Sequence, residues 1–323
     1  MNKRDLLKFL ALSGTSAPWL AMAQDFPIKP VKIVLPVPPG GGADVMGRGL
    51  ALRLQEKWNQ PVIVENRPGA GGAIGAEYVY RAAPDGHTLL LTPQAPLVTL
   101  KLFNSKLGFD PDLLSPVSIF IRASAAMVAS AKTPATTMQQ LVAYAKANPG
   151  KLNYASTGPG SIAQLAAEQF NVMTKTKMVE VPYQGVAPAY VALLAGDVDV
   201  LFDSVGNSVQ HVQAGKINVL GMATDKRLTE FPNVPTMGEF LPGFSAPLWI
   251  GIAAPPKTPT AIASRIAAAV AEATKHPEMV KIVRTSSVGT DVMGSDPEQM
   301  TSAIRTEREL WINVIKNSGL KVA

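Results

Sequence analysis

Val31-Lys32-Ile33-Val34-Leu35-Pro36-Val37-Pro38-Pro39-Gly40-Gly41-Gly42-Ala43-Asp44 is the stretch on which the fold turns. Residues 31–37 are apolar nearly throughout, the pattern of a strand covered on both faces. The prolines and glycines stop it. Asp44 then offers an N-cap, and Met46, Leu50, Leu54 and Trp58 recur every four residues along one helical face. A buried strand, a glycine loop and an amphipathic helix make the first βα unit of an open α/β sheet.

Downstream, residues 61–65 read as a second strand, followed by Asn66-Arg67-Pro68-Gly69-Ala70-Gly71-Gly72 and a helix to about residue 83. Asp85-Gly86 then turns into a third strand at 88–91. The pattern restarts near residue 118, with strands at 118–121 and 127–129 on a crossover. A helix placing Met138, Leu141, Val142 and Ala145 inward ends at Asn148-Pro149-Gly150. Strand 152–155, loop Ser156-Thr157-Gly158-Pro159-Gly160 and a helix with Ile162, Leu165, Ala166 and Phe170 inward come next. Further strands are expected at 178–181, 198–202 and 217–222. After a segment rich in proline and glycine, Trp249-Ile250-Gly251-Ile252 reads as a return strand, and two helices close the chain.

This reading gives an α/β protein of two lobes, each an open, mostly parallel sheet flanked by helices. Residues 24–124 plus 246–323 form the first lobe and 125–245 the second. A chain that leaves its first lobe and later returns crosses a hinge twice, so the lobes are able to shut on a solute between them.

The first residues set the compartment. Lys3, Arg4 and Lys8 precede an apolar run that ends in Ala21-Met22-Ala23, a small-x-small exit. This is the form of a secretory signal, residues 1–23, cleaved before Gln24 and leading to the periplasm. Ser13-Gly14-Thr15-Ser16 interrupts the run too early for a membrane span. Removing it takes away three basic residues and one acidic residue from a net charge of +6 and leaves a mild positive surplus. That surplus is not gathered into a basic stripe, so nucleic acid is not expected as a partner. The chain has no cysteine, which excludes disulfides, thiolate metal sites and a cysteine nucleophile.

Three loops carry the chemistry. In Gly40-Gly41-Gly42-Ala43-Asp44 the amides at a helix start point outward, and a carboxylate suits them through the donors and the helix dipole. Three glycines fit a ligand loop better than a turn, which needs one. Ser156-Thr157-Gly158-Pro159-Gly160-Ser161 repeats the theme with hydroxyls, and Ser161 reads as a cap, a binder or both. Tyr183-Gln184-Gly185 and Phe202-Asp203-Ser204 also end strands, and the Asp203 carboxylate either accepts from a ligand amine or hydroxyl or orders its own loop. Against a cofactor, Ile74 stands where the third glycine of a dinucleotide fingerprint belongs, and there is no P-loop. His87, His211 and His276 lie in separate segments and read as surface or turn residues. No metal signature, nucleophile elbow or paired-carboxylate spacing stands out, so neither a cofactor nor an enzyme is expected. A secreted hydrolase would need a nucleophile with a base in reach.

The ordered series Val37–Asp44 with Arg48, Glu65–Ala76, Pro84–Leu89, Tyr154–Ser161, Val181–Gly185 and Val234-Pro235-Thr236 resembles the receptors of tripartite tricarboxylate transporters, the Bug-type family. The resemblance implies a periplasmic binding protein of the type II, Venus-flytrap kind that hands a small organic carboxylate to the permease subunits of a tripartite transporter. A ligand-sensing receptor with the same cleft is the alternative, and the chain is expected as a monomer. The ligand would be held by backbone and hydroxyl donors. Carried over by position, first-lobe contacts are Gly40, Gly41, Gly42, Ala43 and Asp44 and the loop Thr92-Pro93-Gln94-Ala95. Second-lobe contacts are Ser156, Thr157, Gly158, Ser161, Tyr183 and Asp203. Val37 replaces a usual aromatic, Gln164 a usual histidine and Gln184 a usual lysine. The last change argues for a mono- or dicarboxylate with an apolar or aromatic body over citrate.

Overall fold

The computed structural model describes residues 26–286, 289–320 and 322. The expected signal segment, residues 1–23, lies outside the described residues.

The chain opens with β1 (Val31–Leu35), α1 (Gly42–Trp58), β2 (Val62–Asn66), α2 (Ala73–Tyr80) and β3 (Thr88–Pro93). Two short turns of helix follow, α3 (Ala95–Val98) and α4 (Leu100–Phe103), then β4 (Ser115–Ala123). One residue later β5 (Ala125–Ser130) begins a second series: α5 (Met138–Ala147), β6 (Asn153–Ser156), α6 (Ile162–Thr174), β7 (Val179–Pro182), α7 (Val186–Ala195), β8 (Val200–Ser204), α8 (Val205–Gln213), β9 (Ile217–Met222) and α9 (Met237–Phe240). The return comprises β10 (Leu248–Ala254), α10 (Thr260–Ala273), α11 (Pro277–Ser286), β11 (Thr290–Val292) and α12 (Pro297–Ser318).

The first sheet runs β11-β4-β10-β3-β1-β2 and the second β7-β6-β8-β5-β9. The two-lobed α/β class therefore holds, but the sheets are mixed where mostly parallel ones were expected. Strands β1, β2 and β3 are parallel, as are β6, β7 and β8, while β10 runs against β3 and β5 against β8. The reason is topological. Each parallel set ends at the space between the lobes, and β5 and β10 enter their sheets from that same side, so they must run the opposite way.

Both faces of each sheet are covered, which explains the unbroken apolar runs of the central strands. On one face of the first sheet, Leu35 meets Leu50 and Leu54 of α1, Ile266 and Val270 of α10, and Met279 and Val283 of α11. On the other, Val34 and Leu90 pack with Trp249, Met300 and Trp311. At about 1.5–3 kcal/mol for each large apolar side chain buried, these layers dominate the favourable energy of the lobe. The second sheet is clad likewise, by Phe170 and Phe202 on one side and Leu193 and Leu201 on the other.

The ending differs from the two helices expected, because α11 and the edge strand β11 lie between α10 and α12. Pro277 sits at the first position of α11, where its missing amide costs nothing, and Met279 and Val283 form its short inward stripe. The lobes are also pinned together away from the strand crossings. Leu165 of α6 is buried in the same cluster as Trp311 of α12, and the Thr99 hydroxyl donates to the Gly160 carbonyl at 2.8 Å.

Candidate functional site

A cleft of about 1110 Å³ lies between the lobes, at the carboxyl ends of β1, β2, β3, β6, β7 and β8. This is where open α/β sheets bind ligands, because helix N-termini and strand-end loops converge there.

Its first wall is the glycine loop. The helix begins at Gly42 with Gly41 as N-cap, not at Asp44, which sits in the first turn. Asp44 is 4% exposed and has another task. One carboxylate oxygen accepts from the Gly40 amide and from Arg48 Nε, both at 3.0 Å, and the other from Asn66 Nδ2 at 2.9 Å. Asn66 Nδ2 also donates to the Val37 carbonyl at 3.2 Å, so the loop is braced at both ends against the tip of β2. Burial pushes the Asp44 carboxyl up, but Arg48, the Gly40 amide and Asn66 overcome it and hold the group at about 2. With its carboxylate so engaged, the amides of Gly42 and Ala43 face the cleft at a helix start with no side chain capping them. Of the three glycines only Gly40 has a positive φ, +89°, so Gly41 and Gly42 are there for space. A Cβ on Gly41 would meet nothing within 4 Å.

The second wall is built on a buried polar scaffold. Ser156 is fully buried and donates to Glu180 Oε1 at 2.5 Å, while Gln164 Nε2 donates to Glu180 Oε2 at 2.9 Å. Gln164 Oε1 in turn accepts from the Gly160 amide at 2.8 Å. Gln164 thus does by two hydrogen bonds what fixes the loop 157–160 in place. Deeper in the lobe, burial raises Glu168, with the Tyr154 hydroxyl at 2.6 Å opposing it. Ser161 caps α6 by accepting from the Gln164 amide at 3.3 Å, and its own proton remains available toward the cleft.

Of the expected contact residues, the structure brings Gly41, Gly42, Ala43, Gln94, Thr157, Ser161 and Asp203 to the cleft lining. Gly40, Asp44, Thr92, Ser156, Gly158 and Tyr183 fall outside the lining. Thr92 is fully buried and donates to the Pro93 carbonyl; Tyr183 packs into the second-lobe core. Gln94 lines the cleft, and its amide is also engaged in the fold: it donates to Pro247 O at 2.6 Å and accepts from Trp249 N at 3.0 Å. That clamps the end of β3 to the start of β10, at the return crossing.

Sequence reasoning missed the second-lobe rim. The N-terminus of α7, residues 185–188, opens on the cleft behind an uncapped Gly185, and Tyr190, Val191, Asn207 and His211 complete the wall. His211, expected as a surface or turn residue, is a half-buried lining residue stacked on Tyr190 with ring centroids 5.7 Å apart. His87 is buried, tilted against Phe26 at 5.0 Å, and its Nε2 accepts from the Ile28 amide at 3.3 Å, while His276 is exposed.

Among the described residues, no lysine or arginine lines the cleft. The polar donors are backbone amides at the starts of α1, α6 and α7 and the hydroxyls of Thr157 and Ser161. Pro38, Pro39, Ile162, Leu165, Val186, Val191, Leu194 and Leu248 supply an apolar surface between them. What this lining offers a ligand is shape and oriented dipoles, and no described lining residue pairs a nucleophile with a base.

Comparison with known proteins matches this architecture throughout. The model of the tripartite tricarboxylate transporter family receptor matches residues 46–320. Protein BugT of Bordetella pertussis is 34% identical over 97% of this chain and 96% of its own length. The structure of Rhodopseudomonas palustris Rpa4515 with adipate is 30% identical, covers 93% of this chain and 100% of that one, and superposes with a TM-score of 0.83. MatC from the same organism, with bound malate, is 29% identical over 90% and 100% of the two chains, with a TM-score of 0.79. These are solute-binding receptors and not enzymes, and this chain belongs to the tripartite tricarboxylate transporter family of receptors.

Proposed function

We propose that the chain captures a small organic carboxylate between its two lobes and delivers it to the permease of a tripartite transporter. The observation that carries this reading is the convergence of three helix N-termini, from both sheets, on one cleft whose described lining holds no lysine or arginine. The amides of Gly42 and Ala43 and the hydroxyls of Thr157 and Ser161 take the carboxylate. Gly41 leaves it room, and Gly40, Asp44, Ser156, Gly158 and Gln164 hold those donors in position. Receptors of this family are periplasmic. For this chain a signal removed before Gln24 is the matching route, with lobes of 24–124 plus 246–323 and 125–245 and a monomeric receptor as the working unit. The relatives solved with adipate and malate support a carboxylate as the solute class.

The test is a thermal-shift screen of mono-, di- and tricarboxylates followed by calorimetry on the best. A ligand at 100 times its Kd stabilises by about 2.7 kcal/mol, which for a chain of this size moves Tm by several degrees. A screen in which no carboxylate moves Tm overturns the reading, and a clear preference for citrate overturns its restriction to smaller acids. Loss of uptake of the identified acid in cells lacking the receptor tests delivery.

A further inference from the structure

The second-lobe end of the cleft has a different chemistry from the rest. There Asp203, Tyr190, Asn207 and His211 meet from β8, α7 and α8. Among the described lining residues Asp203 is the single carboxylate, with no lysine or arginine to balance it. One of its oxygens accepts from Asn207 Nδ2 at 2.8 Å. Burial raises its affinity for a proton, which Asn207, the Ser204 amide and the Tyr190 hydroxyl offset only in part. Beside it the buried Tyr190 hydroxyl faces the Asp203 carboxylate without reaching good hydrogen-bond geometry and has no other partner among the described residues, while its ring is held by the stacked His211 imidazole. A carboxylate that meets only neutral donors, one of them a poorly placed hydroxyl, is costly unless a cation from outside completes it.

We propose that this cluster is a donor-recognition subsite, and that the solute carries an ammonium or comparable N–H group at the end remote from its carboxylate. The inference rests on the carboxylate reading above and adds the solute's second end. An ammonium facing Asp203 supplies the missing counter-charge, and the Tyr190 oxygen, whose proton is turned to Asp203, is free to accept a second of its N–H groups. A second carboxylate placed there would face Asp203 as a like charge, with only one hydroxyl to receive it. The apolar stretch formed by Val186, Val191 and Leu194 between the two polar ends suits a methylene or ring body.

The experiment compares acids of equal length that differ only at the far end, measured by calorimetry at pH 7 on the purified protein: 6-aminohexanoate, hexanoate and adipate, repeated for chains of four to eight carbons. The expected result is that at the best length the amino acid binds at least tenfold tighter than either partner. Asp203→Asn should erase that preference while leaving the plain monocarboxylate within threefold, and Tyr190→Phe should reduce it severalfold. Circular dichroism and the retained monocarboxylate affinity certify that each variant is folded. Diacid affinity equal to or above the amino acid's, or an Asp203→Asn variant that weakens all three acids alike, overturns the subsite and leaves the carboxylate reading intact. If none of the acids binds at any length, both fall.

Discussion

Replacing Glu307 by glutamine tests whether the return crossing is under electrostatic strain. Glu307, on α12, is 6% exposed, and both of its oxygens accept from the Trp249 indole N–H, at 2.7 and 2.8 Å. Burial pushes its carboxyl from 4.5 up to about 7; the Trp249 hydrogen bond and the Arg122 charge pull the other way and lose. The folded protein therefore holds this proton more tightly than the unfolded chain does. Its contribution to stability is fully present below pH 4.5 and is lost as pH rises toward 7. At about 1.4 kcal/mol per pH unit the loss amounts to ~3 kcal/mol. Glutamine keeps one acceptor for Trp249 and cannot ionise, but leaves an amide N–H₂ to be satisfied, at a cost of about 1 kcal/mol. Urea unfolding at pH 5.0, 6.5 and 8.0 reads the difference between variant and parent, in which all other titrations cancel. Glu307→Gln is expected to be slightly less stable at pH 5.0 and about 2 kcal/mol more stable at pH 8.0. A difference constant within 1 kcal/mol across that range would refute the argument.

Gly41→Leu should fold with an unchanged Tm, since Gly41 has ordinary extended angles and open space at its Cβ, and should lose carboxylate binding at least a hundredfold. Unaltered affinity would remove the glycine loop from the site. Asp44→Asn keeps the shape of the loop brace but not its charge. Because the folded carboxyl is held at about 2 against an ordinary 3.8, it contributes ~2 kcal/mol that is present above pH 4 and lost as pH falls toward 2. Acid titration of the two proteins should therefore converge below pH 2 and separate above pH 4. Gln164→Leu strands both the Gly160 amide and one Glu180 oxygen. A cost of about 2–3 kcal/mol and a weaker ligand are expected, read by denaturant unfolding and calorimetry.

The fold was legible where one residue pattern had one structural meaning. Residues 31–44 spell strand, loop and helix in a single direction, and the strand at Ile217–Met222 falls where its apolar run does. Legibility failed where meaning depended on a partner far away in sequence. Asp44 looks like a cap from its neighbours, and only Asn66, 22 residues on, shows it to be a brace. Ser156 carries the same hydroxyl as Ser161, but a glutamate on the adjacent strand turns the first inward. His211 gains its place in the cleft from Tyr190 on another helix, and no local motif joins them. The three-residue strand β11 exists because the β4 edge is there to pair with it, through Thr290, Asp291 and Val292.

The contacts between the lobes limit how such a receptor opens. Two extended connections, Ser124 and the stretch before β10, would by themselves allow wide motion. Yet Leu165 sits in the first lobe's core with Trp311, and exposing that seam would return well over a hundred Å² of apolar surface to water, roughly 3 kcal/mol or more. The Thr99 bond to Gly160 lies beside the same seam and ties it to the loop that presents Thr157. Opening that keeps this side closed must pivot about it and swing the α7 and α8 rim away from the glycine loop. The end of the cleft lined by Asp203, Tyr190 and His211 then moves most, so a solute reaching it engages the part of the protein whose position distinguishes shut from open. A ligand shifts a two-state equilibrium only by its difference in affinity for the two states. Contacts at that rim are therefore worth more to closure than equal contacts near the seam, and shortening a ligand at its far end should impair closure before it impairs initial capture.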